Sequence, residues 1–160
     1  MKKFTLPKDG GLIEAGLPEG ILHSYERIPA HIFEDEDIAS ADLAEVIIRA
    51  INGSYGIFRL GLTTGSSPVS LYRELVRRHK AGDVSFENVE IFSIDEYYPA
   101  PADHYSRNRR LYEDLIAHID IKPENVHIPK LTQLYDSTLV SEFCAEYDAL
   151  ATGLDLLVMG

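Results

Sequence analysis

Residues Ile57 to Pro68, IFRLGLTTGSSP, narrow the choice of fold most, because an apolar run breaks into Gly, Thr and Ser and then meets a proline. That order reads as strand, loop, helix. Ile57, Phe58, Leu60 and Leu62 suit a buried strand, and Gly61 and Gly65 allow tight turning and close backbone approach. Ser67 can cap a helix and Pro68 can occupy its first position, so a helix is expected to begin at Ser67 or Pro68. Backbone N–H groups in the first turn lack internal partners and lie at the positive end of the helix dipole. The loop Thr64, Gly65, Ser66, Ser67 is therefore shaped to hold an anion, with phosphate the first candidate. An ordinary strand-to-helix turn with a serine cap would look the same at this level.

Around this stretch the chain alternates between two periodicities. Residues 8–20 are irregular and rich in Gly and Pro, and Ile28 to Phe33 (IPAHIF) reads as a short edge strand. The acidic cluster Glu34 to Asp37 leads into a helical pattern that stops at Asn52-Gly53-Ser54. After Pro68 a second helix runs to Gly82, and a strand at Val89 to Ile94 passes directly into Asp95-Glu96-Tyr97. A helix from Ser106 turns Leu111, Leu115 and Ile116 inward. Val126 to Ile128 makes a short strand, Asp136 or Ser137 caps a helix carrying Phe143 and Tyr147, and Leu154 to Met159 is the last strand.

Apolar strands alternating with helices imply right-handed crossovers and a mostly parallel sheet covered on both faces, an α/β fold. Ligands of such sheets gather beyond the carboxyl ends of the strands, so the 64–67 loop and the Asp95-Glu96 pair should share one rim. Successive strand residues point to opposite faces, which leaves one of these two carboxylates for function and the other for structure. Arg107, Arg109 and Arg110 crowd the first turn of their helix, the unfavourable end of the dipole. Either they face acidic groups or an anionic ligand, or they are simply solvated.

A formal net charge of -11 on 160 residues argues against nucleic-acid and anionic-membrane partners, which require a basic face. No run is long enough to span a bilayer and none resembles a signal peptide, so a cytoplasmic protein is expected. The single cysteine, Cys144, excludes an internal disulfide, and its apolar neighbours suggest a buried thiol. Homo-oligomerisation stays open.

Taken in order, Leu60-Gly61-Leu62-Thr63-Thr64-Gly65-Ser66-Ser67-Pro68, His79-Lys80-Ala81-Gly82 with Val84-Ser85-Phe86, Asp95-Glu96-Tyr97, and His118-Ile119-Asp120-Ile121 with Glu124-Asn125 closely resemble the glucosamine-6-phosphate deaminase (isomerase) family. The resemblance runs from about Ile57 to Gly160 and implies a Rossmann-like three-layer α/β/α sandwich. It also implies a phosphorylated amino sugar as substrate, with Thr64, Gly65, Ser66 and Ser67 holding its phosphate. Asp95 would be the base that moves a proton between C2 and C1 of the opened sugar, with no metal and no cofactor.

Two departures qualify the resemblance. Relatives usually follow the Asp-Glu-Tyr segment with Gly-Leu-Pro and a later Ser-Tyr pair, whereas this chain reads YPAPADHYSRNRR, so its substrate contacts should differ there. The family's next motif, carrying an Asp, a ring-opening His and a Glu, would follow Gly160. Residues 28–160 are thus expected to be the N-terminal part of a catalytic domain behind an irregular 1–27 extension, and the 160-residue chain alone is expected to lack deaminase activity. The alternatives are a 6-phosphogluconolactonase, which usually has Asp-Glu-Arg where this chain has Asp95-Glu96-Tyr97, and a non-catalytic sugar-phosphate sensor.

Overall fold

Asp35 begins the ordered alternation: its side chain accepts a 2.8 Å hydrogen bond from the Ile38 amide and caps α1 (Glu36–Gly53). Glu36 and Asp37 place negative charge in the first turn, as the dipole favours. A computed structural model describes residues 31–97, 106–129 and 137–160, and all the elements below belong to one unit, Asp35–Gly160. Of the expected edge strand at Ile28 to Phe33, residues 28–30 lie outside the described residues, and His31 to Phe33 form no strand. The run is short, and Pro29 offers no N–H to a ladder.

After α1 come β1 (Phe58–Leu62), α2 (Val69–Lys80), β2 (Val89–Ser93), α3 (Arg107–Asp114), β3 (Val126–His127), α4 (Ser137–Leu150) and β4 (Leu156–Val158). The strands form one four-stranded sheet in the order β3-β2-β1-β4, and every described pairing is parallel. The chain steps outward from β1 through β2 to β3, then crosses back to lie on the other side of β1. That reversal is a topological switch point, with its crevice at the carboxyl ends of β1 and β4.

Alternation along β1 and β2 divides the sheet's two faces. Phe58, Leu60, Leu62, Val89 and Ile91 join Ala44, Ile47 and Ile48 of α1, Leu71, Tyr72 and Leu75 of α2, and Leu111 of α3 in one buried core. The opposite face carries Arg59, Glu90, Phe92 and His127 and receives α4. There the Arg59 guanidinium bonds Glu90 at 3.0 Å and the backbone carbonyls of Leu150 and Thr152, while lying 4.6 Å over the Phe92 ring. The Tyr147 hydroxyl lies 2.8 Å from the carbonyls of Ser93 and His127, and burial pushes its pKa up to about 12.

Cys144 is exposed, contrary to the expectation of a buried thiol. On α4 the half-buried side chains are Val140, Phe143 and Tyr147, spaced for one narrow stripe, and Cys144 falls off it. Leu139 and Leu150 are exposed as well.

Gly82 ends α2 with a backbone φ of +82. Its amide bonds the His79 carbonyl at 2.9 Å and the next amide, Asp83, bonds Arg78 at 3.0 Å, the paired pattern that closes a helix on a left-handed glycine. At the other end, α2 has Pro68 as its cap residue and no side-chain cap. Ser67 therefore does not cap the helix, because Ser66 to Pro68 form a turn first, closed by a 3.4 Å bond from the Val69 amide to the Ser66 carbonyl.

Candidate active site

The first β-strand delivers Thr63 and Thr64 to the carboxyl rim of the sheet, where both side chains are buried. The Thr63 amide bonds the Val158 carbonyl at 3.2 Å, and the Ile94 amide bonds the Leu62 carbonyl at 3.1 Å, so the ladder continues past the strand ends and fixes the rim. From α2, the buried Tyr72 hydroxyl donates to the Thr63 carbonyl. Desolvation first, then the charges of Asp114 and Asp95, push this phenol well above its ordinary value, so it stays a neutral donor. Gly65 follows with φ +126, a conformation that glycine adopts without strain. It is half-buried, and Ser66 and Ser67 are exposed.

The second strand brings Asp95 and Glu96 to the same rim, just past its last residue Ser93, and the two carboxylates take different partners. Glu96 turns to the start of α3. One carboxylate oxygen accepts from the amides of Tyr97 at 2.9 Å and Arg107 at 3.1 Å, and the other accepts from the Ser106 hydroxyl at 2.6 Å and the Asn108 amide at 3.2 Å. Ser106 accepts in turn from the Arg109 amide at 3.3 Å. The first three amides of α3 thus all have acceptors, and a carboxylate sits at the positive end of the helix. Burial pushes Glu96 up, but the bonds from Ser106 and from the three backbone amides outweigh it and hold its pKa below the ordinary value.

Asp95 turns instead toward the loop. Its Oδ2 is 3.2 Å from Arg107 Nε, and its Oδ1 is buried with no hydrogen-bond partner among the described residues. Arg107 reaches back from α3 across the rim: Nη1 donates to the Thr64 carbonyl at 3.1 Å, and Nη2 donates to the Tyr97 hydroxyl at 3.0 Å. Its guanidinium carbon also stands 4.6 Å from the centre of the Tyr97 ring. The arginine cluster divides accordingly: Arg107 faces the site, Arg109 pairs with Glu113 at 2.7 Å, and Arg110 is exposed. The sequence reading placed Asp95 and the 64–67 loop on one rim and left Arg107 either facing acidic groups or an anionic ligand or solvated, but assigned no role to Tyr72 or Ser106. The misplaced positive charge at the start of α3 was the available signal for Arg107. Nothing in spacing alone marks Tyr72 as more than an apolar-face residue.

A cavity of about 200 Å³ lies beside the loop, between the first turns of α1 and the ends of β1 and β4. Leu43, Leu71, Val158 and Met159 line it together with Glu36 and Ser67. Its apolar walls and the Glu36 carboxylate suit an anion poorly, and neither Asp95 nor Arg107 lines it. The carboxylate and loop on the Arg107 side form the candidate site. A carboxylate at this rim, beside a glycine turn that leads into a helix, can remove a proton from a ligand anchored by an anionic group.

The family described as "Glucosamine-6-phosphate isomerases/6-phosphogluconolactonase" matches residues 34–160. The chain is 42% identical over 118 residues to a "Glucosamine-6-phosphate isomerase" of Candida albicans, a match covering 73% of this chain and 46% of that protein. It is 32% identical over 154 residues to a "Putative glucosamine-6-phosphate deaminase-like protein" of Bacteroides thetaiotaomicron, covering 92% of this chain and 23% of that one. Among solved structures, a monomeric glucosamine-6-phosphate deaminase superposes with a TM-score of 0.66 at 28% identity, over 74% of this chain and 47% of that chain. A 6-phosphogluconolactonase of Thermotoga maritima shares the fold, with a TM-score of 0.63 at 18% identity over 79% of this chain and 55% of that one. The chain spans about half the length, or less, of the curated relatives described, with 46% and 23% of them covered. By its match over residues 34–160 and by the Rossmann-like α/β sheet it shares with these structures, the chain belongs to the glucosamine-6-phosphate isomerase/6-phosphogluconolactonase family.

Proposed function

We propose that the protein carrying this chain converts glucosamine 6-phosphate and water into fructose 6-phosphate and ammonia. The observation that carries the reading is the Asp95 carboxylate at the strand rim, joined through Arg107 to the Thr64 to Ser67 loop. Asp95 takes the proton from C2 of the opened amino sugar and returns it to C1, which turns the aldose amine into a ketose imine. Water then adds to the imine carbon and ammonia leaves. Thr64, Gly65, Ser66 and Ser67 hold the phosphate, which keeps C2 in register with the base during the transfer. This reading takes residues 28–160 as the N-terminal part of the catalytic domain, preceded by the 1–27 extension. It brings with it a cytoplasmic role in amino-sugar breakdown, downstream of N-acetylglucosamine. Among the described residues, no helix is long and apolar enough to cross a membrane.

The test is to incubate the full-length protein with glucosamine 6-phosphate and measure ammonia and fructose 6-phosphate. Equal amounts of both products are expected. Hydrolysis of 6-phosphogluconolactone without ammonia release would assign the protein to the lactonase branch instead, and sugar-phosphate binding without turnover would make it a sensor.

A further inference from the structure

We propose that Arg107 is a positioning residue for the proton transfer: it holds the Asp95 carboxylate by Oδ2, ties it to the Thr64 carbonyl, and so fixes the direction in which the base faces the substrate. The proposal rests on the function given above and assigns a part of that site outside the loop and the base. Asp95 has two oxygens of equal intrinsic basicity, and a carboxylate free to rotate offers either one in many directions. Here Oδ2 is engaged by Arg107 Nε at 3.2 Å, while Oδ1 is buried and unpartnered among the described residues. The same guanidinium is anchored on the loop by the Thr64 carbonyl at 3.1 Å and on the far side by the Tyr97 hydroxyl at 3.0 Å. The backbone amide of Arg107 is itself held by Glu96 at 3.1 Å. Base, loop and the start of α3 therefore meet through one planar cation.

Gly65 borders this arrangement on a backbone of φ +126 that side chains rarely adopt, and a Cβ there would meet Arg107 Nη1 at 3.8 Å, an ordinary contact. A lysine is a poor replacement for the guanidinium: its three donors sit on one nitrogen, whereas Arg107 reaches the carboxylate, the carbonyl and the phenol from three separate nitrogens held in one plane. The exposed Arg110, one turn position away, serves as the control for any general effect of charge at the start of α3.

The experiment uses the full-length protein as wild type and as Arg107→Ala, Arg107→Lys, Arg110→Ala and Asp95→Asn. It measures kcat and KM for glucosamine 6-phosphate, exchange of the C2 proton with solvent by NMR, and Kd for inorganic phosphate. Misplacing a reacting group by about 1 Å can cost on the order of 100-fold in rate. Arg107→Ala is therefore expected to lower kcat and C2 exchange together by roughly 10- to 100-fold, with KM and the phosphate Kd changed far less. Arg107→Lys should restore little of the loss, added guanidinium ion should restore part of it to Arg107→Ala, and Arg110→Ala should behave as wild type. Normal kcat in Arg107→Ala beside an inactive Asp95→Asn would overturn the proposal and leave the function standing. A raised KM or phosphate Kd at normal kcat would overturn it by making Arg107 a substrate-binding group. No turnover by the wild type would remove the function and this proposal together.

Discussion

At the residue scale, Asp95 and Glu96 are adjacent carboxylates made different by their surroundings. Glu96 spends both oxygens on the start of α3, whereas Asp95 pairs one oxygen with Arg107 and has no partner for the other among the described residues. Positioned general bases contribute on the order of 100- to 10,000-fold in rate. Asp95→Asn in the full-length protein should therefore keep its affinity for a sugar phosphate and lose turnover by about that factor, read from ammonia release and calorimetry. Glu96→Gln should act mainly on stability, and a larger loss of turnover from Glu96→Gln than from Asp95→Asn would reverse the assignment. Gly65, at φ +126, is a second point. Gly65→Val strains the backbone by about 1 to 3 kcal/mol and should lower the melting temperature and weaken phosphosugar binding together. Ser67→Ala removes no cap, because α2 has none, and a denaturant titration should find its stability within about 0.5 kcal/mol of wild type.

At the scale of elements, α3 is the one most dependent on others. Its first turn carries two arginines besides Arg107 and no acid, so its own sequence opposes the helix dipole. Glu96 and Ser106 compensate by accepting from its first amides. Ser106→Ala should cost about 1 kcal/mol as a lost cap, measured by the denaturation midpoint.

The same carboxylates set an acid limit. Glu96 is held below its ordinary value of 4.5, where burial pushing it up is outweighed by its hydrogen bonds. Asp120 is held below 3.8: burial again pushes upward, and bonds from Ser85 and the Phe86 amide with the nearby His79 push down further. A depressed pKa in the folded state means that the folded protein binds protons less readily than the unfolded chain. The stabilisation is complete above the ordinary values and is lost as pH falls through the lower folded ones. Unfolding free energy should thus fall steeply below about pH 4.5. The double variant Glu96→Gln, Asp120→Asn should be less stable at neutral pH but show a shallower decline in acid. Parallel pH curves would contradict the assignment.

At the scale of the whole molecule, the sheet's two faces are unequal. One carries the apolar core under α1, α2 and α3; the other holds α4 through polar ties at Arg59 and Tyr147. Leu60 is fully buried on the first face and Leu139 is exposed on α4. Leu60→Ala should cost about 2 to 5 kcal/mol through lost burial and a residual cavity. Leu139→Ala should stay within about 0.5 kcal/mol of wild type, both by denaturant titration. Equal losses would mean that the core is not confined to the α1, α2 and α3 face.

The order of strands and helices was legible because periodicity is a local property: FRLGL and VEIFS read as buried strands, and the Gly82 stop is written in a single residue. The parallel α/β class and the shared rim of loop and Asp95 followed from topology rules that need only that order. Three features were set by packing. Ser67 gave up its capping position because the turn before α2 closed one residue later than propensity suggests. Cys144 was left outside because α4 buries only a narrow stripe. Arg107 took its place at Asp95 and Thr64 because residues 95 and 107 meet only when α3 folds back over the end of β2. Sequence determined the elements and the chemistry each one carries. The tertiary structure decided which charges meet, because electrostatic partnership depends on distances in space that no periodicity along the chain encodes.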